Sequence, residues 1–391
     1  DVYQQDVALS LLPLSHTFER TCGYYLTMMA GCTVAYARSI PQLAEDMQVI
    51  RPTVLIAVPR VFERVYARLE QQLERRSLAA RVLFRAGVAV GWRRFEAQQG
   101  RARRSPVLVL WSLLDRLVAR KLRERFGGRL RLAISGGAAL NPDVARTFLG
   151  LGITVLQGYG LTEAAPIVSA NTLHDNRPAS VGVPVRGVRV RLGENDELLV
   201  RSPGVMLGYW NDHNATKRAI DPEGWLHTGD KARTEEGHIY ITGRLKDILV
   251  LSNGEKVAPV EMELAITLDP LFDHAMVVGE GRPFLGALLV INSEKWFGLA
   301  REIGLDPFKP ASLRDAKLQQ LVVKRLRGLL RDFPGYAKIR RVTLLLDEWS
   351  VDNGLLTPTL KLKREQVLER YRRETERLYA ELHGGARRAG A

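Results

Sequence analysis

Gly158-Tyr159-Gly160-Leu161-Thr162-Glu163 follows directly on the apolar run Ile153-Thr154-Val155-Leu156, which reads as a buried strand. Two glycines around a tyrosine let the backbone pass close to a flat ligand while the phenol ring lies against it. A hydroxyl and a carboxylate come next, a pairing suited to a phosphate oxygen and a magnesium ion. Glycine-rich strand ends are common in α/β proteins, so the weight of this hexapeptide depends on its surroundings. Ser135-Gly136-Gly137-Ala138-Ala139-Leu140 precedes it. Trp225-Leu226-His227-Thr228-Gly229-Asp230, Gly243-Arg244-Leu245-Lys246-Asp247 and Leu356-Thr357-Pro358-Thr359-Leu360-Lys361-Leu362-Lys363-Arg364 follow.

Working outward, the first half of the chain alternates apolar runs with helical patterns, which predicts stacked βα units around a mainly parallel sheet. Residues 53–58 and 130–135 read as buried strands, and 60–126 as mostly helical and strongly charged. From 180 to 243 short alternating runs with turn residues between them predict a β-rich region. A mixed region follows Asp247, with a strand at 273–278, a helix at 318–330 and a charged helix at 365–382. The expected division is an α/β core over 1–179, a β-rich subdomain over 180–245, a hinge at 246, an α+β domain over 247–383 and a disordered tail at 384–391.

The 391 residues exceed one ordinary domain, and 46% apolar with 26% charged residues describes a globular protein with ample core. The formal net charge is +14, and residues 93–131 alone hold twelve basic against three acidic side chains. Within them Leu110, Leu113, Leu114, Leu117 and Val118 keep a helical spacing beside Arg116, Arg120, Lys121 and Arg123. Such a stretch is either a solvated helix face or an attractor of phosphates and anionic membrane surfaces. No zinc-finger spacing and no aromatic-basic motif supports nucleic-acid binding. Cys22 and Cys32, the only cysteines, lie in a helix-like apolar run and read as two buried thiols of a reducing cytosol. The run is too short to span a bilayer. The expected location is therefore cytoplasmic, with peripheral attachment to a membrane as the further expectation.

The ordered motifs resemble the adenylate-forming superfamily of ATP-dependent acyl-activating enzymes. Leu12-Pro13-Leu14-Ser15-His16-Thr17-Phe18-Glu19-Arg20 and Val58-Pro59-Arg60-Val61-Phe62-Glu63 make the likeness one to long-chain fatty acyl-CoA synthetases, over residues 1 to about 370. The resemblance implies a multidomain α/β fold: a large N-terminal domain, here truncated, with a β-rich subdomain, then a small α+β C-terminal domain that swings about Lys246. It implies a long-chain fatty acid, ATP, magnesium and CoA as the reactants and cofactor. An acyl-adenylate forms first, and the CoA thiol then displaces AMP. By the same likeness Gly136, Gly137 and Ala138 admit the adenine and the acyl end, and Gly158, Tyr159 and Gly160 form the adenine cradle. Thr162 meets the α-phosphate, Glu163 holds magnesium, Asp230 binds the ribose and Arg244 reaches ribose or phosphates. Lys361 is the catalytic lysine. His16 and Phe18 line the junction of acyl tunnel and CoA channel, and Ser252, Gly254 and Lys256 form a turn suited to CoA. Many members have Gly where this chain has Leu360. Lys363 and Arg364 are either a solvated pair, the favoured reading, or secondary phosphate contacts.

The Ser/Thr/Gly-rich phosphate loop ending in Pro-Lys-Gly, which the family carries upstream of the region of His16, has no counterpart here, and no Walker-type sequence replaces it. The expectation is a fragment of a synthetase that begins past that loop. Two other readings stay open: a ligase that passes its acyl-adenylate to a carrier protein, and a non-catalytic nucleotide-binding remnant.

Overall fold

Five runs of four to six mostly apolar residues lie side by side in parallel. The computed structural model describes residues 2–39, 42–103 and 105–380, so the tail expected at 384–391 lies outside the described residues. The chain forms two compact units, Asp1–Ile241 and Thr242–Ala391. The main sheet of the first holds β1 (Val7–Ser10), β2 (Thr33–Tyr36), β3 (Val54–Ala57), β4 (Leu132–Ser135), β5 (Val155–Gly160), β6 (Ile167–Ala170) and β7 (Val183–Pro184). Their order is β2-β1-β3-β4-β5-β6-β7. Pairing is parallel from β2 to β5 and antiparallel from β5 to β7. Every residue of β3 is buried, as a strand covered on both faces requires. The order reverses between β1 and β3, and at such a switch point a crevice opens beyond the carboxyl ends of the strands.

Helices Leu78–Gln98 and Pro142–Gly150 pack backbone to backbone. A β-carbon on Gly91 would lie 1.8 Å from the Gly150 carbonyl oxygen, and one on Gly150 would lie 2.6 Å from that of Val88. Residues 106–124 form one irregular rod: a 3-10 turn Pro106–Leu110, an α turn Trp111–Leu114, a π turn Asp115–Ala119 and an α turn Arg120–Glu124. Leu114 and Ala119 point inward, the latter in a cluster with Phe84 and Leu151, whereas Leu110, Leu113 and Leu117 are exposed. The five-residue apolar set of this segment is thus split between two sides of the rod.

A second sheet, β8 (Arg189–Leu192), β9 (Glu197–Arg201), β10 (Leu226–Glu235) and β11 (His238–Arg244), runs in the order β11-β10-β9-β8. Leu198, Val200, Leu226 and Ile239 share one core with Ala164, Val168 and Val181. Backbone bonds from Val181 N to Ile239 O and from Ile239 N to Gly182 O, both 2.9 Å, tie this sheet to the chain leaving β6. His238 is fully buried, with one ring nitrogen 2.8 Å from Ser180 Oγ and the other 2.8 Å from Asp175 Oδ2.

The second unit begins with a hairpin, β12 (Leu249–Val250) and β13 (Lys256–Val257). Its sheet is β14 (Phe272–Val278), β15 (Leu285–Ile291) and β16 (Ile339–Leu345), antiparallel then parallel. All of β15 is buried because both faces are covered. Leu285, Ala287, Leu289 and Ile291 meet Trp296, Val322 and Met262 on one side, while Leu288 and Val290 meet Trp349, Val367 and Tyr371 on the other.

Three local expectations change. Arg364 is not solvated: its guanidinium grips Glu263 at 2.7 and 2.9 Å and donates to Val277 O at 2.7 Å. The charged C-terminal helix breaks into Arg364–Arg370 and Arg372–Arg377 around the buried Tyr371. The run holding the cysteines turns at Gly31, whose φ is 67°, from helix into β2, so Cys22 is buried but Cys32 only half-buried. The helix-to-helix contact gives a test. Gly91→Ala should cost about 1–3 kcal/mol in urea unfolding. Gly87→Ala, whose β-carbon would meet Val118 at an ordinary 3.6 Å, should be neutral or mildly stabilising. Equal effects would contradict the close crossing.

Candidate functional site

The loops that leave the carboxyl ends of β1, β4 and β5 converge. After β1 the chain runs through His16, Thr17 and Phe18 into a π-helical stretch, Glu19–Tyr25. Phe18 N donates to His16 Nδ1 at 3.3 Å, which folds this loop on itself. The Phe18 ring lies against Gly136, where a β-carbon would sit 2.9 Å from Phe18 Cζ, so any side chain there would have to push the ring aside. Gly137 has φ +84°, a second demand for glycine at the turn beyond β4. Thr17 Oγ1 and Thr162 Oγ1 are 3.5 Å apart. The structure therefore brings together 16–18, 136–138 and 162. Gln157 braces the group: its Oε1 accepts from Leu140 N at 3.0 Å, and its Nε2 donates to Pro178 O.

Tyr159 and Asp230 meet although 71 residues separate them: Tyr159 Oη donates to Asp230 Oδ2 at 2.5 Å. A bulge in β10 aims the carboxylate. Between His227 and Lys231 the register against β9 shifts, Gly229 takes φ +70°, and its N–H donates to Glu197 Oε1 at 2.8 Å. His227 Nδ1 lies 2.9 Å from the other oxygen of Glu197. Thr228 Oγ1 donates to Leu198 O at 2.7 Å and accepts from Asp230 N at 3.1 Å. Bulges of this kind redirect a side chain at the edge of a site. Asp230 is buried, and Tyr159 joins the core shared by the two sheets.

Thr162 and Glu163 form a short 3-10 turn ended by Ala165 in the left-handed region, φ 55°. Tyr209 Oη donates to Glu163 Oε1 at 2.9 Å, and Met206 N donates to Glu163 O at 2.8 Å. Among the described residues no three His, Cys, Asp or Glu side chains gather as a metal cage. Magnesium carried by a nucleotide needs only one or two carboxylates beside its phosphates and waters, so Glu163 next to the Thr162 hydroxyl fits such an ion.

The remaining candidates belong to the second unit. Arg244 ends β11, and Lys246 follows in a turn closed by Asp247 N to Arg244 O at 3.1 Å; both are exposed. Ser252 and Gly254 form the exposed turn of the β12–β13 hairpin, with Gly254 at φ +85°, and Lys256 opens β13. Lys361 stands exposed on a loop pinched by the Leu356–Leu362 bridge. Its N–H donates to Thr357 Oγ1 at 3.0 Å, and its carbonyl accepts from Thr357 N at 2.8 Å. Leu360 has φ 61°, a left-handed conformation that explains why glycine suits this position. Its side chain packs against the cluster of Trp349 and Val367, which offsets the strain.

The residues match those of known proteins. The sequence profile described as "AMP-binding enzyme" covers residues 1–210, and the one described as "AMP-binding enzyme C-terminal domain" covers 246–383. The chain belongs to the AMP-binding enzyme family. It is 35% identical to the long-chain-fatty-acid–CoA ligase FadD15 of Mycobacterium bovis over 95% of this chain and 62% of that relative. It therefore spans less than two thirds of that protein's length. Its fold is that of the adenylation domain of a carboxylate reductase from Mycobacterium chelonae: TM-score 0.73 and 26% identity over 96% of this chain and 54% of the other. The A domain of a carboxylic acid reductase from Segniliparus rugosus, solved with AMP and a co-purified carboxylic acid, gives TM-score 0.71 and 26% identity over 96% and 55%. The adenylate-forming α/β architecture expected from the motifs is the observed one.

Sequence reading passed over Glu19, Glu197 and Tyr209. Glu19 is fully buried just after the His16–Phe18 loop, where Ser10 Oγ donates to its Oε1 at 2.6 Å and its Oε2 has no hydrogen-bond partner among the described residues. Its carboxyl occupies the space over Gly23 that a β-carbon would need. Burial pushes it up to about 7 from a usual 4.5, with the Ser10 bond opposing. The folded state thus holds a proton that the unfolded chain releases near pH 4.5. Stability falls as pH rises from there to about 7 and is level beyond. Glu19→Gln should raise unfolding stability at about pH 8 by about 2–3 kcal/mol and change it little at about pH 4. Urea titrations at both pH values check this, and a pH-independent loss would contradict it.

Proposed function

We propose that this chain performs ATP-dependent activation of a long-chain fatty acid and its transfer to CoA. The observation that carries the reading is the Tyr159–Asp230 pair standing at the strand ends beside Thr17, Thr162 and the Gly136–Ala138 turn. It supplies an aromatic plane and a carboxylate at one point, as an adenosine needs. The likeness to a long-chain-fatty-acid–CoA ligase supports the substrate class.

In this reading adenine lies along Tyr159 and the Gly136–Ala138 turn, and the ribose hydroxyls donate to Asp230. Thr162 donates to an α-phosphate oxygen, and Arg244 adds a cation toward ribose or phosphate. Glu163 would hold magnesium, which neutralises phosphate charge when bound. The fatty carboxylate oxygen attacks the α-phosphorus, the bond to the β-phosphate breaks, and pyrophosphate leaves. Both partners are anions, so positioning and fixed cations supply most of the rate. Lys361 bridges the carboxylate and α-phosphate in this step, reaching them as the small domain turns about Lys246. The thiol sulfur of CoA then attacks the acyl carbon, AMP departs, and the thiol proton passes to solvent. His16 and Phe18 border the acyl path, and the Ser252–Gly254 turn with Lys256 borders CoA. The basic segment 93–131 supports work at the surface of an anionic membrane.

Lys361→Ala should slow pyrophosphate release by about a hundredfold or more. The Kd for ATP should stay nearly unchanged, and thioester formation from supplied acyl-adenylate should persist. Pyrophosphate release at the normal rate in the variant would remove Lys361 from this role.

A further inference from the structure

The rod of residues 106–124 turns an unusual side to solvent. Val109 is 78% exposed and Leu113 56%, with Val107, Leu110 and Leu117 exposed beside them. Exposed apolar side chains grouped along one short segment are a mark of interaction surfaces. The rod's own core needs do not account for them, because Val118, Ala119 and Leu122 already pack with Phe84, Val88 and Leu151 on the inner side, and Leu114 is buried as well. Its four basic residues face two acidic ones. Asp115 is held by Arg123 at 2.7 and 3.1 Å, and Glu124 lies 3.3 Å from Arg120. Arg116 and Lys121, both exposed, are the cations of the rod left over by these pairs. Beside the rod opens a cleft of about 250 Å³ lined by Arg51, Arg120, Arg123, Glu124 and Gly128. Arg123 is held there by Asp115 and Arg120 by Glu124, so Arg51, whose Nε donates to Gly127 O at 2.9 Å, is the cation that the cleft offers to a phosphate ester.

We infer that this rod and its arginine cleft are the surface by which the chain docks on a bilayer of anionic phospholipid. Leucine and valine side chains enter the acyl boundary while arginine and lysine stems reach back to the headgroups. The cleft takes one headgroup phosphate. A second copy of the chain would fit poorly, since pairing this face with itself opposes Arg116, Arg120 and Lys121 to their own kind. Among the described residues no helix is long and apolar enough to cross a membrane, so the contact lies at the surface. The inference rests on the fatty-acid reading for its purpose, because long-chain acids reside in bilayers, but the binding is measurable without turnover.

The test is co-sedimentation of the 391-residue chain with vesicles of phosphatidylcholine alone and of phosphatidylcholine mixed with phosphatidylglycerol. The mixed vesicles should bind at least about tenfold more strongly, with a steep loss in high salt. L113Q/L117Q should lower partition about tenfold or more. R116E/K121E should lower it by at least about fivefold per cation removed. Both variants should keep the parent's thermal melting curve. Equal partition into both vesicle types, or partition unmoved by either variant, overturns the proposal. So does displacement by free inorganic phosphate as effective as that by vesicles of equal phosphate content, or a dimer that L113Q/L117Q dissolves. Vesicle binding in a chain that shows no fatty-acid-dependent pyrophosphate release would sink the ligase reading and leave this one standing.

Discussion

A side-chain hydrogen bond links the two sheets of the first unit: Tyr159 on β5 donates to Asp230 on β10. Most of what surrounds it serves to bring these two groups to one point. The parallel order of β1 to β5 places Phe18, Gly136 and Tyr159 at the same edge, because the chain leaves every parallel strand at that end. The bulge opposite Glu197 keeps Asp230 on the buried side of β10, in phase with Leu226, Thr228 and Ala232, where it meets the tyrosine. The common core of Val168, Val181, Leu198 and Ile239 holds the sheets at the separation that the bond requires.

The fold class was legible because each of its signals is local. Apolar runs of strand length followed by helical periodicity announce βα units, and glycines at the ends of β4 and β5 mark turns that a β-carbon would block. Gly136 illustrates this: its role depends on one neighbouring ring, and a strand-to-glycine transition is visible in the letters alone. The bulge was not visible. It depends on the Glu197 carboxylate, which lies on another strand, capturing the N–H of Gly229. Glu19 was hidden for the opposite reason. A glutamate between Phe18 and Arg20 looks like a surface residue, and only the π-helical turn carries it beneath the loop to Ser10.

The same limit appears in the rod 106–124. Five apolar residues at near-helical spacing read as one stripe, yet the change from 3-10 to α to π winding moves the register. Leu114 and Ala119 then face in while Leu113 and Leu117 face out. Arg364 looked like part of a solvated basic tail, but Glu263, a hundred residues earlier in the chain, folds over it. At Leu360 a left-handed backbone is kept without glycine because the leucine side chain has apolar neighbours to meet.

The central claim is that the meeting point of Tyr159 and Asp230 is where a nucleotide binds. Calorimetric titration of AMP into the parent chain and into Tyr159→Phe, Asp230→Ala and the double variant addresses it most directly. Asp230→Ala should weaken AMP binding by about 1–3 kcal/mol. Tyr159→Phe, which keeps the ring, should cost less, and the double variant should cost less than the sum of the two because the groups are in contact. AMP affinity unchanged in Asp230→Ala, with the variant folded, would contradict the account.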